Sequence, residues 1–330
     1  MKSSARYVIG VLILVSLVAC SPDGSVSTSR LFVMGEGAGV LAIDPSTGEA
    51  LEWAVEGTHA ALSSDAEQVA YIRDDAAGTS LVVSDGSGTR RVAELPFASD
   101  MIRGHAAWSD DGRFIALLVE PSPEPFHGQL VVIAVETGAW AFVTGPVEVF
   151  AWRPGGDQIA AFPAGVDSGT GLYLIDPLNE VWTRLLQGAQ AYTTSIAWSP
   201  DGERIALAGS DATHTFAELS VVDVDRRVPT AVYSDTSRIT DVDWSPDGRR
   251  LALCQANGDI VIIDPESGHL SRLPRRACRT AVAWSPDGQS LAYLRREGAE
   301  IRLIRLDVST GEETVLMSDL SPGVDLVVWR

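Results

Sequence analysis

Seven side chains that could bind a ligand or exchange a proton each lie a few residues before a recurring tryptophan or leucine. They are His59, Arg103, His105, Tyr192, Arg238, Asp241 and Arg279. Histidine and aspartate can transfer protons, and arginine holds carboxylates through a planar fork of N–H donors. Brought together, these groups would form a pocket for a small ligand or a peptide. The alternative is that they are solvated rim residues and hydrogen-bond partners between repeats.

Metal and nucleophile chemistry has little support in the sequence. The five histidines form no H-x-x-x-H or H-E-x-x-H pair, and the chain contains no C-x-x-C and no G-x-S-x-G motif. Those spacings place metal ligands on one helix face or hold a nucleophile at a strand end. We therefore expect no metal, no cofactor and no catalytic residue, and the sequence favours a role other than an enzyme.

The first 20 residues have the parts of an export signal. Lys2 and Arg6 precede an apolar run that is shorter than the roughly 20 residues needed to span a bilayer. The segment Leu17-Val18-Ala19-Cys20 resembles the lipobox of bacterial lipoproteins. That resemblance implies a signal peptide over residues 1–20, cleavage before Cys20 and acylation of its thiol. Residues 21–29, which are rich in Ser, Pro and Gly, are expected to be a flexible tether.

The chain is acidic, and its charge excludes one class of partner. Its 330 residues include 25 Lys and Arg against 44 Asp and Glu, a net charge of −19. Removal of residues 1–20 takes away Lys2, the only lysine, and Arg6, so the mature charge is −21. Nucleic acids are bound by clustered Lys and Arg, so we expect no nucleic-acid partner.

Two cysteines remain in the mature chain after Cys20. Cys254 ends a predicted strand, and Cys278 lies in the next connection between repeats, so both fall on the same side of the molecule. An exported protein meets a compartment in which disulfides form. We predict a Cys254–Cys278 bond, and the alternative is a buried thiol at Cys254 with a free thiol at Cys278.

A unit of about a dozen residues recurs from residue 30 to the end. It reads IAWSPDGERIAL at Ile196–Leu207 and returns with few changes at Val242–Leu253 and Val282–Tyr293. Its anchor positions lie 40 to 46 residues apart, at Leu62, Trp108, Trp152, Trp198, Trp244, Trp284 and Trp329. Between anchors, short β-branched runs separated by Gly, Pro and Asp predict four antiparallel strands per unit.

Units of this length and pattern are typical of propeller blades. We predict an all-β fold, a single β-propeller over residues 30–330. Seven blades are expected, with six or eight if the Leu62 copy is misread. Arg30 to Ala54 lacks a first strand, and Val324 to Arg330 supplies one with nothing after it. The C-terminal strand should therefore complete the N-terminal blade and close the ring.

The predicted ring has two different faces. We call turn face the side with the Pro-Asp-Gly turns and the Asp-x-x-x-Gly turns, such as Asp44–Gly48. The acids of these turns are interpreted as turn formers rather than metal ligands, because Asp bonds its own downstream backbone. We call loop face the opposite side, where blades are joined. All seven candidate residues belong there, around the mouth of the central channel, where variable loops on a rigid frame commonly bind ligands.

The W-S-P-D-G-x-x-[LI]-A units resemble the WD40-like propeller repeats of the TolB family and of prolyl oligopeptidase propellers. The chain contains no Trp-Asp dipeptide, which ends the blades of eukaryotic WD40 repeats. We expect no counterpart of the extra N-terminal domain of TolB, for which there is no room between Ser29 and Arg30, and no peptidase, since the chain has no G-x-S-x-G motif. Ala42 to Trp53 is similar to the docking motif of quinoprotein propellers but occurs only once.

Together these patterns predict a propeller lipoprotein, tethered to a membrane by the lipid on Cys20 on its extracytoplasmic side. We expect it to bind an envelope protein or a peptide as a scaffold. The alternative is a propeller enzyme or small-molecule sensor of the lyase, glycosidase or quinoprotein type that uses the channel mouth. A third reading, by analogy with other propeller lipoproteins, is an assembly factor for membrane proteins.

Overall fold

The computed structural model describes residues 29–35, 39–55, 57–120, 128–156, 158–163, 171–187, 192–210, 216–274, 276–321 and 323–330. The predicted signal peptide and all but the last residue of the predicted tether lie outside these residues. The described part forms 28 strands and one short 3₁₀ turn, Ser99–Met101, which confirms the all-β prediction. None of its helical segments is long and apolar enough to cross a membrane.

The strands form seven four-stranded antiparallel sheets, the blades. Blade 1 contains β4 (Thr58–Leu62), β5 (Val69–Asp75), β6 (Gly78–Ser84) and β7 (Thr89–Glu94). Blade 2 contains β8 (Ile102–Trp108), β9 (Phe114–Val119), β10 (Gly128–Ala134) and β11 (Trp140–Val147). Blade 3 contains β12 (Val149–Trp152), β13 (Ile159–Phe162), β14 (Tyr173–Asp176) and β15 (Val181–Arg184).

The remaining blades follow the same order from inner to outer strand. Blade 4 contains β16 (Tyr192–Trp198), β17 (Arg204–Ser210), β18 (Ala217–Asp223) and β19 (Val228–Asp235). Blade 5 contains β20 (Ile239–Trp244), β21 (Leu251–Gln255), β22 (Ile260–Ile263) and β23 (Leu270–Leu273). Blade 6 contains β24 (Cys278–Trp284), β25 (Ser290–Glu297), β26 (Glu300–Asp307) and β27 (Glu313–Leu320). Blade 7 contains β28 (Val324–Trp329), β1 (Leu31–Gly35), β2 (Gly39–Ile43) and β3 (Ala50–Val55).

Blade 7 joins the two ends of the chain, as predicted. Leu31 pairs with Trp329 in the antiparallel register of β1 and β28. Just outside that pair, Arg30 N–H donates to Arg330 O over 2.6 Å and Arg330 N–H donates to Arg30 O over 2.9 Å. The closure confirms seven blades and leaves no terminal sheet with an unpaired inner edge.

The recurring Ser-Pro-Asp-Gly segment folds into a turn that satisfies its own polar groups. In blade 4, Ser199 Oγ donates to the Asp201 carboxylate and accepts the Arg204 N–H at 2.9 Å. Gly202 adopts a φ of +69°, a conformation that side chains disfavour. The Asp-x-x-x-Gly turns work similarly, since Asp44 Oδ1 accepts the Ser46 N–H at 2.7 Å. These acids are turn formers, as interpreted from the sequence.

The hydrophobic core lies between neighbouring blades. One cluster of buried side chains joins Leu207 and Val222 of blade 4 to Ala160 and Phe162 of blade 3. Another joins the opposite surface of blade 4 to blade 5. Because each blade is covered on both surfaces by its neighbours, the first three strands are rich in residues that are apolar at consecutive positions.

Candidate functional site

Three of the candidate residues meet on the loop face, at the joint of blades 1 and 2. His59 of β4 is 4% exposed, and its Nδ1 lies 2.6 Å from Gly104 O on β8. Gly104 stands between Arg103 and His105, and the Arg103 guanidinium is exposed and forms an ion pair with Glu120. The imidazole of His59 therefore ties two blades together and positions the two candidate residues beside it.

His105 connects more distant parts of the ring. Its Nε2 lies 2.8 Å from Asp325 Oδ1 on β28, two blades away along the ring. Its Nδ1 is buried without a hydrogen-bond partner among the described residues. This contact links the inner strands β8 and β28.

The other candidates lie on blades 4 to 6. Arg238 is exposed just before β20, and its backbone carbonyl accepts the Ala256 N–H at 2.8 Å. Tyr192 and Arg279 lie in β16 and β24, and their side chains are outside the described ones. Asp241 points into the channel. The structure thus groups His59, Arg103 and His105, places Arg238 on another blade, and separates Asp241 from them.

A cavity of about 1210 Å³ occupies the turn-face end of the channel. It is lined by five of the anchor tryptophans, by the prolines that follow four of them, and by charged side chains. The charged lining residues are Arg30, Asp44, Asp65, Glu67, Asp110, Asp241, Asp243 and Arg330. Of the seven candidates predicted from the sequence, Asp241 alone lines this cavity. The cavity was therefore not predicted from the sequence. The residues of the recurring turns, which line the cavity, are the sequence feature that could have revealed it.

Asp241 and Asp243 are the acids that the channel wall perturbs most. Asp241 Oδ2 accepts the Val282 N–H at 3.0 Å, and Asp243 Oδ2 accepts the Trp284 N–H at 2.8 Å. Burial raises the pKa of Asp241 to about 7, although these amide bonds oppose it and the charge of Asp243 adds to it. Burial likewise raises the pKa of Asp243 to about 6, against the pull of Arg330. Both carboxylates therefore join blade 5 to blade 6.

The anchor tryptophans join blades on the turn-face side. In five blades the indole N–H donates over 3.0–3.3 Å to the carbonyl of the residue before the previous blade's anchor. The donor and acceptor pairs are Trp108 with Ala61, Trp152 with Ala107, Trp198 with Ala151, Trp244 with Ala197, and Trp284 with Asp243. Trp329 Nε1 is buried without a partner among the described residues. The tryptophans are structural, as their recurrence at one position suggests.

Arginines complete the same joint and were missed from the sequence. Arg204 Nη2 donates to Gly248 O at 2.8 Å, and its guanidinium lies 4.9 Å from the centre of the Trp244 ring. Arg250 does the same one blade further on, with Gly288 O at 2.9 Å and the Trp284 ring at 4.6 Å. Their shared place, two residues after the Pro-Asp-Gly glycine, is the signal that could have revealed them.

On the loop face, blades 5 and 6 are joined by a different kind of contact. Cys254 at the end of β21 and Cys278 at the start of β24 are bonded as a disulfide, with their Cα atoms 5.7 Å apart. Both residues are fully buried. Among the described residues, no group of three or more His, Cys, Asp or Glu side chains is placed to hold a metal ion.

Two repeat models match parts of the chain. The WD domain, G-beta repeat, matches residues 181–213, and the WD40 domain of anaphase-promoting complex subunit 4 matches residues 220–274. No curated protein matches the chain significantly in sequence. The repeat models fall on blades 3 to 5, and two of the three complete Trp-Ser-Pro-Asp-Gly units, at Trp198 and Trp244, lie within the matched residues.

Several solved structures share the fold at low sequence identity. TolB from Acinetobacter baumannii superposes with a TM-score of 0.56 at 14% identity, covering 92% of this chain and 66% of its own. Oligogalacturonate lyase in complex with manganese gives 0.63 at 15% identity, covering 86% and 82%. The periplasmic gluconolactonase of Pseudomonas aeruginosa gives 0.61 at 15% identity, covering 91% and 98%. The chain is thus a seven-bladed, WD40-like β-propeller that is similar in fold to the propeller of TolB.

Proposed function

We propose that the chain is an exported lipoprotein whose propeller binds an envelope protein or peptide at its loop face. In this proposal the signal is cut before Cys20, the new N-terminal cysteine is acylated, and residues 21–29 tether the ring to the membrane. The lipobox-like sequence supports the anchor. A propeller of the same fold, the Pseudomonas gluconolactonase, is periplasmic, which supports an extracytoplasmic address.

One observation carries the preference for binding over catalysis. The two acids with raised pKa values, Asp241 and Asp243, are bound to the backbone amides of Val282 and Trp284. A catalytic acid or base must instead have its proton-transferring atom free to face a substrate. Burial in the channel wall raises the pKa values of both carboxylates, and one oxygen of each is already used to join blade 5 to blade 6, which favours a structural role for them.

The loop face has the features of a partner-binding surface. Its residues differ from blade to blade, whereas the frame beneath them is held by buried strands and a disulfide. The guanidinium of Arg103 and the side chain of Arg238 are exposed there. Arginine forks bind carboxylates and backbone carbonyls of an incoming chain, and arginine is enriched at interfaces.

A photo-crosslinking residue placed at Arg238 or at Glu266 tests the binding face. Both positions are exposed in blade 5, Arg238 on the loop face and Glu266 on the turn face. In intact cells we expect Arg238 to give a discrete protein adduct that Glu266 does not give, and the adduct should weaken when Arg103 is changed to Ala. No adduct from Arg238, together with a small molecule bound in native mass spectra, would contradict the proposal.

Replacement of Cys20 tests the anchor separately. Cys20→Ala removes the thiol that would carry the lipid, so we expect the protein to leave the membrane fraction. Ser21→Ala is the matched control, and it should fractionate as the unaltered protein does. Unchanged membrane fractionation of Cys20→Ala would refute the anchor without affecting the proposed binding face.

The cavity supports a second candidate function. At about 1210 Å³ it is slightly larger than common ligand sites, which occupy about 300–1,000 Å³. Indole edges and carboxylates line it, so it would suit a small cationic or hydroxylated ligand. Two similar structures are a lyase and a gluconolactonase. A metabolite retained in native mass spectra and lost on filling the cavity with Ala197→Trp would favour the small-molecule sensor or enzyme.

A further inference from the structure

The chain enters the ring from the turn face. Leu31, the first residue of β1, pairs with Trp329, the turn-face end of the inner strand β28. Ser29 and Arg30 line the cavity at the same end of the channel. Ser29 is also the last residue of the predicted tether, so a tether attached to Cys20 leaves the ring from the turn face.

The tether is too short to let the ring stand far from its anchor. Residues 21–29 span at most about 30 Å when fully extended and about 17 Å on average as a flexible coil. The strands run up to eight residues, or about 27 Å from one face to the other. A tether that had to pass the depth of the ring would have almost no length left to reach lipid. The turn face is therefore the side held nearest to the bilayer.

Exposed apolar side chains lie near the turn-face end of the outer strands. Of the nine large hydrophobic residues that are exposed in the described part of the chain, seven lie on or just before an outer strand of blades 2 to 6. They are Trp140, Phe142, Leu178, Val181, Val228, Leu270 and Val315. We call this set the apolar rim.

Strand register places five residues of the apolar rim at the turn-face end, with Phe142 and Val315 two residues further along their strands. Leu270 pairs with Ile263, which leads through Leu251 to the anchor Trp244 at the turn-face end of β20. In blade 2, the corresponding strand pairs place Trp140 level with the anchor tryptophan of that blade. Leu178 lies in the turn before β15, and Val228 opens β19. These side chains lie at the end of the ring at which Ser29 and Arg30 enter it.

We infer that the turn face rests on the bilayer that holds Cys20, with the apolar rim seated at the lipid headgroups. This inference rests on the proposed lipid anchor and goes beyond it by naming the face and the contact. The mature charge of −21 gives no attraction to anionic lipid, so the contact is apolar. The occupant is a bilayer of zwitterionic phospholipid, and the loop face points away from it toward partners.

Lipid-borne quenchers can locate the face in the full lipoprotein. The protein is reconstituted into phosphatidylcholine vesicles that contain spin-labelled lipid, with a fluorophore on Glu266→Cys or on Arg238→Cys. Cys254 and Cys278 are buried and bonded, so they do not compete for the label. We expect several-fold stronger quenching at Glu266→Cys, and the difference should persist at high salt.

Each other outcome overturns the inference. Equal quenching at the two sites, or stronger quenching at Arg238→Cys, would show that the turn face does not face the lipid although the anchor holds. Failure of both proteins to float with the vesicles would reject the anchor itself, and the inference with it. Quenching that disappears at high salt would contradict an apolar contact.

The apolar rim is tested by a paired substitution. Val228→Ser with Leu270→Ser, made in the Glu266→Cys protein, removes two exposed side chains from neighbouring blades. We expect a several-fold loss of quenching while the protein still floats with the vesicles. Met101→Ser removes an exposed apolar side chain on the loop face and should change nothing. Full quenching in the paired variant would show that the apolar rim does not make the contact.

Discussion

The two faces of the ring join neighbouring blades by different means. On the turn face the same device recurs, with an indole N–H bound to the previous blade and, in three blades, an arginine over the next indole. On the loop face three contacts differ from one another: a disulfide between blades 5 and 6, His59 on Gly104 between blades 1 and 2, and His105 on Asp325 two blades away. A repeated device stiffens a ring uniformly, whereas unique contacts create places that differ from one another.

The proposed bilayer contact and the proposed partner binding fall on opposite faces. The turn face is regular, carries the chain entry and the apolar rim, and suits a flat, repetitive surface such as a bilayer. The loop face is irregular and suits a partner of specific shape. Docking of the turn face would also cover that end of the cavity, so a small-molecule role needs access from the other end of the channel.

The largest expected effect comes from breaking one turn-face joint. Trp244 is 4% exposed, donates to Ala197 O at 3.2 Å and lies under the Arg204 guanidinium. Trp244→Ala should lower the free energy of unfolding by about 3–5 kcal/mol, since a large buried ring is lost. Trp140→Ala removes a tryptophan that is 37% exposed and should cost clearly less. Urea unfolding checks both, and equal losses would contradict a special role for the anchors.

The loop-face disulfide should have the next largest effect. It closes a segment with a sequence separation of 24, for which loss of the bond is expected to cost about 3 kcal/mol. The double variant Cys254→Ser, Cys278→Ser should unfold at lower urea than the oxidised protein and should no longer respond to reductant. If the unaltered protein is equally stable with and without reductant, the bond does not hold this joint.

A smaller effect separates two adjacent arginines of blade 5. Arg250 donates to Gly288 O and stacks on Trp284, whereas Arg249 is exposed. Arg250→Ala should lower the free energy of unfolding by about 1–2 kcal/mol, through the lost hydrogen bond and the cation–π contact. Arg249→Ala should stay within about 0.5 kcal/mol of the unaltered protein. A reversed order in urea unfolding would show that the repeated arginines do not join the blades.

The smallest effect depends on pH. Burial raises the pKa of Asp243 to about 6, so the native state retains a proton that the unfolded chain releases near pH 4. The stabilisation from this proton is complete below about pH 4 and is lost as pH rises through 6. Asp243→Asn keeps an acceptor for the Trp284 N–H, and it should be about 1 kcal/mol more stable than the unaltered protein at pH 8. The gain should vanish at pH 4.

Asp247 supplies a control of opposite sign. Its hydrogen bond from Ser245 leads the causes that lower its pKa, so its carboxylate stabilises the fold above the ordinary pKa of an aspartate and loses that effect as pH falls. Asp247→Asn should therefore be less stable than the unaltered protein at pH 8. Stability curves of Asp243→Asn and Asp247→Asn that move in the same direction at pH 8 would contradict the assigned environments.

The sequence predicted the ring because the ring is built from repetition. The anchors Leu62 to Trp329 gave the blade count, and the incomplete first and last units gave the closure. Even the degenerate copy at Leu62 occupies a regular inner strand, β4. Local turn chemistry and strand length are written within each unit, so they can be recognised without knowledge of distant contacts.

The site was harder to predict because it depends on contacts between units. Nothing in the spacing shows that His105 reaches Asp325, 220 residues away in the chain. Asp241 looked like a residue of the loop-face mouth, yet it lines the cavity at the turn face and binds Val282. That the seven candidates bind a partner stays a prediction.

The most direct test of the account is the intact mass of the mature protein extracted from membranes without reductant. We expect a chain that begins at Cys20, carries acyl groups on that residue, and lacks the two hydrogens removed by the Cys254–Cys278 bond. A chain that begins elsewhere, or one with an unmodified Cys20, would contradict the anchor on which the assignment of the two faces depends.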